Sequence, residues 1–187
     1  GLIVAFILLT YNRLALMRNE AQNSLSQIGI QLRRRHELIP DLVAVVRRFM
    51  GHEHETLRLV ISARNTAASC IEHAQPGAGS KGALSKLAAA ETSLTQSLGR
   101  LQIVLEDYPE LKTDLQVANL TTEIRSTENR IAFARQNYND RATDFNTART
   151  TFPAIMIARM IGFESDFSLL EFKDQHMIRR APVLQLA

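Results

Sequence analysis

The stretch that decides the fold is residues 117–152, VANLTTEIRSTENRIAFARQNYNDRATDFNTARTTF. One series runs through it: Val117, Leu120, Ile124, Thr127, Ile131, Ala134, Tyr138, Arg141, Phe145, Ala148 and Phe152. Steps of three and four place these positions on one stripe of a helix. A helix of nearly forty residues would run ~55 Å at 1.5 Å per residue. A single seam buries little surface on its own. It must lie against other helices at shallow angles, as bundles do.

Working outward, Pro153 stops this helix. A short apolar helix is expected over residues 154–161, closed by Gly162, and the tail from Glu164 loses its periodicity and reads as irregular. Upstream, a second seam runs Leu84, Leu87, Glu91, Leu94, Leu98, Leu101, Leu105, Tyr108. Tyr108-Pro109 ends it, and residues 109–113 make a tight return. Residues 75–82, QPGAGSKG, form a flexible loop before it. A third seam runs Leu25, Ile28, Leu32, Arg35, Ile39, Leu42, Val46, Phe49 and keeps register through Pro40. A proline inside a helix costs about 3 kcal/mol and usually bends or ends it. A true turn has no reason to keep register. One kinked helix ending near Gly51, with a second from His52 to about Ala74, is therefore favoured over a turn at Pro40. Both readings give four long helices, an all-α class.

Composition sets the outer bounds. The 187 residues suffice for one domain with one sizeable core. Only 6% of residues are aromatic, and strand-type runs are scarce, which argues against sheets. Lys and Arg number 22 against 19 Asp and Glu, an excess too small to point to nucleic acid. The single cysteine, Cys70, excludes an intrachain disulfide and reads as a small core residue among alanines.

Residues 2–9, LIVAFILL, are uninterrupted apolar. A spanning helix needs about 20 such residues, so this run alone is too short. Because residue 1 is Gly rather than Met, the run reads as the end of a transmembrane helix whose beginning lies upstream. Tyr11 suits the headgroup region. A buried core helix is the alternative. The expected organisation is a membrane-anchor end at 1–10, a four-helix bundle with a short fifth helix at 11–163, and an irregular tail at 164–187. Arg13 and Arg18 follow the run with only Glu20 opposing, so the bundle is expected in the cytoplasm.

Several stretches resemble the LemA family of bacterial membrane-anchored proteins. They include Tyr11-Asn12, Arg18-Asn19, Ser26-Gln27-Ile28, Gln31-Leu32 with Arg33-Arg34-Arg35, and Leu38-Ile39-Pro40-Asp41-Leu42-Val43. Ala63-Arg64, Leu98-Gly99-Arg100-Leu101, Tyr108-Pro109-Glu110-Leu111-Lys112 and Thr127-Glu128-Asn129-Arg130-Ile131 continue in the same order, as do Tyr138-Asn139-Asp140, Phe145-Asn146, Phe152-Pro153 and Gly162-Phe163. The resemblance covers nearly the whole chain. It departs at Leu25, where the family usually has Trp, and around residues 76–81. It implies a single-pass helix in the bacterial inner membrane, followed by an up-and-down four-helix bundle. It implies no particular reaction, cofactor or ligand.

The motifs give little chemistry. In His52-Glu53-His54-Glu55 the histidines are two apart, about 200° around a helix, whereas a zinc pair wants them four apart. The cluster reads as a polar helix start. The glycines at 77, 79 and 82 follow no strand, so a nucleotide loop is not indicated. No catalytic arrangement can be assigned. Arg33, Arg34, Arg35, Arg47 and Arg48 form the densest basic cluster and read as a solvated face or a site for an acidic protein partner. No aromatics are interleaved for base stacking. Glu128, Asn129, Arg130 and Arg135 read as a structural polar network flanking the seam that could fix helix register. Glu91 and Arg141, both on seams, are expected to be buried ionic groups paired with other helices. The resulting expectation is a non-enzymatic, membrane-tethered scaffold with a protein partner, homo-oligomerisation being possible. The alternative is a sensor that binds a small molecule or metal between helices.

Overall fold

The computed structural model describes residues 1–50, 54–74, 81–160, 163 and 166–172. Six helices follow in order: α1 (Leu2–Val46), α2 (His54–His73), α3 (Lys81–Leu105), α4 (Pro109–Thr113), α5 (Leu115–Thr150) and α6 (Ala154–Met160). No strand occurs among the described residues. The helix α1 lies along α5, α2 lies along α3, and α1 also touches α2.

Local sequence explains the boundaries. Pro109 sits at the start of α4, where its missing N–H is not needed. Asp114 closes α4 and caps α5: its Oδ1 accepts from the backbone N–H of Gln116 at 2.8 Å and Val117 at 3.0 Å. The return at 109–113 is thus a short helix. Pro40 lies inside α1, which continues to Val46. Of the two readings of this proline, the continuous helix is the one adopted, ending before Gly51.

The seams meet in two core clusters. One joins Ile39, Leu42 and Val46 of α1, Leu57 and Val60 of α2, Leu94 and Leu101 of α3, and Val117 and Ile124 of α5. The other joins Leu25, Ile28 and Leu32 of α1, Ile71 of α2, Leu84 and Leu87 of α3, and Ile131 and Tyr138 of α5. Cys70, half-buried, packs against both. A third, smaller cluster holds Leu14, Phe145, Ala158 and Phe163. Each fully buried Leu, Ile or Phe is worth about 1.5–3 kcal/mol over exposure, so these seams dominate the stability.

Three seam positions differ from the expectation. Arg141 is exposed, because the buried stripe steps by four from Tyr138 to Ala142 rather than by three to Arg141. The arginine reaches Glu20 on α1, 3.3 Å away at the surface. Phe49 and Phe152 lie beyond the ends of α1 and α5 and are exposed. The loop at 75–80, His52-Glu53 and Gly162 lie outside the described residues.

Candidate functional site

The middle of the molecule is charged. Between the two main clusters, Leu32 and Ile39 of α1 flank Arg35 and His36, which are 3% and 2% exposed. Arg35 Nη2 pairs with Glu91 Oε2 on α3, itself 1% exposed. Arg35 Nη1 lies 3.4 Å from Thr95 Oγ1 and 3.6 Å from Glu128 Oε1 on α5. His36 Nε2 comes within 2.9 Å of Glu91 Oε1, close but poorly aligned for a hydrogen bond. Charges so deep are tolerated only when paired. Glu91 is therefore a buried, inter-helix ionic group, as its seam position implied. Arg35 is not on the basic face. It is the cation that neutralises Glu91, because its seam position turns it inward.

Pro40 adjoins this layer and explains a further contact. Lacking an N–H, it cannot donate to the carbonyl of His36 one turn earlier. Arg64 of α2 fills that role, with Nε donating to the His36 carbonyl at 3.0 Å. A backbone acceptor orphaned in the interior would otherwise cost about 1–3 kcal/mol. The helix passes through Pro40 because a neighbouring helix supplies the missing donor.

The remaining arginines of the basic cluster, Arg33, Arg34, Arg47 and Arg48, are exposed. The four polar residues of α5 occupy three settings. Glu128 belongs to the charged layer. Asn129 and Arg130 line a groove of about 480 Å³ between α1 and α5, shared with Gln31 and the exposed Phe133. Arg135 stacks over Phe172, 4.8 Å from the ring centre. Among the described residues, no group of three or more His, Cys, Asp or Glu could hold a metal.

Sequence reasoning missed the role of the tail. Residues 166–172 are irregular, as expected, but they dock on α5. Asn146 Nδ2 donates to the Phe167 carbonyl at 2.9 Å, and its Oδ1 accepts from the Phe167 N–H at 3.0 Å. Asn139 repeats the pattern with Leu170, at 3.2 and 2.9 Å. The Tyr138 hydroxyl donates to the Ser168 carbonyl at 2.7 Å, and burial pushes its pKa up to about 12. Leu170 is 1% exposed and joins the second cluster. The Phe167 ring packs edge-on against Phe145 at 5.3 Å, and Asp166 pairs with Arg149. The available signal was two asparagines seven apart, each directly after a seam aromatic.

One end of the molecule is apolar on the outside. Leu2, Val4, Leu8 and Leu9 are 91%, 60%, 57% and 69% exposed, and the core begins only at Leu14. Exposed Met156 and Met160 share a face of α6, which packs beside α1. Exposed Phe152 lines a cleft with Phe6. Tyr11 contacts Phe163, ring centres 5.9 Å apart, and Arg18 lies 5.5 Å over the same ring. No helix among the described residues is long and apolar enough to cross a membrane.

The sequence profile of the LemA family matches residues 24–185. Magnetosome protein MamQ of Magnetospirillum gryphiswaldense is 28% identical over 180 residues, covering 87% of this chain and 66% of that protein. Magnetosome protein MamQ 2 of Paramagnetospirillum magneticum is 26% identical with the same coverage. Protein LemA of Metamycoplasma hominis is 25% identical over 151 residues, covering 80% of this chain and 64% of that protein. The chain thus spans just under two thirds of the length of these relatives.

Proposed function

Because the chain belongs to the LemA family, we propose that it is a membrane-tethered, non-enzymatic interaction protein, an up-and-down four-helix bundle held at the bacterial inner membrane by α1. The apolar end carries this reading. A row of exposed Leu, Val and Phe on the first turns of α1, beside Phe152, Met156 and Met160, has no partner within the described residues. Patches of this kind on a water-soluble surface mark contact with lipid or protein. The run continues unbroken into the packed helix, so a tether there would hold the body rigidly at the surface. Arg13 and Arg18 close to the run favour a cytoplasmic body. The exposed set Arg33, Arg34, Arg47 and Arg48 suits an acidic protein partner.

Membrane fractionation tests the tether. The chain is expected in the membrane fraction, released by detergent and not by high salt. Release by salt alone, or recovery in the soluble fraction, contradicts it. A reporter fused after Ala187 that is active only outside the cytoplasm would reverse the topology.

A second reading, a sensor for a small polar ligand, is favoured by one observation. Gln31 Oε1, in the α1–α5 groove, is buried without a hydrogen-bond partner among the described residues. Thermal-shift screening against metabolites and metals separates the two. A stabilisation of about 2.7 kcal/mol at a hundredfold excess over Kd supports the sensor.

A further inference from the structure

The docked tail is held by two asparagines of α5. Its two clamps read main chain, not side chain. A carboxamide offers an NH2 donor and a C=O acceptor side by side, and Asn146 and Asn139 each direct one of each at the C=O and N–H of a single residue. Seven residues of helix rise ~10.5 Å, and three residues of extended chain span ~10 Å. The step from Asn139 to Asn146 therefore matches the step from Leu170 back to Phe167, with the tail running antiparallel to α5. The clamps are in register by geometry, and an extended peptide with an N–H at each clamped position satisfies them.

Specificity comes from the side chains between and beyond the clamps. Phe167 meets Phe145, Leu170 enters the core, Asp166 pairs with Arg149, and Phe172 lies under Arg135. This pattern reads acidic–aromatic–x–x–aliphatic–x–aromatic. The neighbouring cleft between α3 and the tail, about 560 Å³ and lined by Ala88, Thr92, Gln96 and Leu169, leaves room for larger side chains along the same path.

We propose that this asparagine ladder on α5 is a docking groove for an extended peptide of another protein with that pattern, and that residues 166–172 are its resident ligand in cis. The inference rests on the interaction-protein reading and supplies its partner class. The tail supplies a high effective concentration of competing ligand, so an outside peptide binds strongly only when the tail is loosened. Exchange costs no main-chain hydrogen bonds, because the incoming peptide remakes each one.

The test uses the full chain and a fluorescein-labelled peptide of sequence ESDFSLLEFK, read by anisotropy. Leu170→Ala loosens the tail from the core. Asp166→Arg, at a surface position, loosens it without touching the core and serves if Leu170→Ala fails to fold. The loosened chain is expected to bind the peptide saturably and at least tenfold tighter than the unmodified chain. Adding Asn139→Ala and Asn146→Ala is expected to abolish that binding, and proline at the peptide position equivalent to Leu170 to weaken it at least tenfold. No saturable binding by a folded, loosened chain overturns the proposal, as does binding that survives loss of both asparagines. Dimerisation of the loosened chain that the peptide reverses assigns the groove to the tail of a second copy and also overturns it. Membrane recovery is read separately, so failure here leaves the tether reading standing.

Discussion

The helix α1 breaks the usual pattern twice, in opposite senses. At its middle it buries charge: Arg35 and His36 lie in the interior. At its start it exposes grease: Leu2, Leu8 and Leu9 face outward. The middle is answered from within the chain. Glu91 meets Arg35, and Arg64 meets the carbonyl that Pro40 leaves free. The start has no such answer among the described residues. Charges paired inside the chain are a structural device, whereas apolar surface left open points outside the molecule. Substitutions at the middle are therefore expected to change stability, and those at the start to change location.

The largest effect is expected at Glu91. Glu91→Ala strands a buried arginine and should cost about 3–5 kcal/mol in denaturant unfolding. The double change Arg35→Met with Glu91→Leu removes both charges and should restore stability to wild type or above. Failure of the double change to recover would mean that the charged layer carries more than pairing. Next is Arg64→Leu, expected to cost about 1–2 kcal/mol. In a Pro40→Ala background the restored N–H can serve His36, so the same substitution should cost clearly less. Equal costs in the two backgrounds would break the link between Arg64 and the proline.

A smaller effect, dependent on pH, is expected at Tyr138. The folded state raises its pKa from 10.0 to about 12. The folded protein thus holds this proton longer than the unfolded chain. The stabilisation linked to it is complete below pH 10 and is lost as pH rises toward 12. Tyr138→Phe should cost about 1 kcal/mol near neutrality through loss of the bond to Ser168. The gap between the two proteins should narrow across that alkaline window, and a constant gap would contradict the assignment. The smallest effect is expected on the basic face. Arg33→Glu with Arg34→Glu should leave stability within about 0.5 kcal/mol, because both side chains are exposed.

These contrasts also show what a single sequence reveals. The three-four spacing located the long helices, their seams and the burial of Glu91, because periodicity is a local property. Arg35 shows the limit. Its place between Leu32 and Ile39 turned it inward, while its neighbours Arg33 and Arg34 suggested a surface cluster. Spacing was the better guide, since burial follows the face and not the company along the chain. Arg141 failed by one residue, where steps of three and of four were both open and Ala142 took the inner place. The pairing of Arg64 with His36, and of Asn139 with Leu170, joins residues far apart in sequence. No local pattern contains such partners.

The tethered reading stands or falls with attachment of the apolar end to membrane. Flotation of the purified chain with phospholipid vesicles tests it most directly, comparing wild type with Leu8→Glu/Leu9→Glu and with Met156→Glu/Met160→Glu. Wild type is expected to float at high salt, the α1 variant to stay at the bottom while keeping its helical circular dichroism, and the α6 variant to float less. Wild type remaining with the soluble fraction, or folded α1 variants floating as well as wild type, would contradict it.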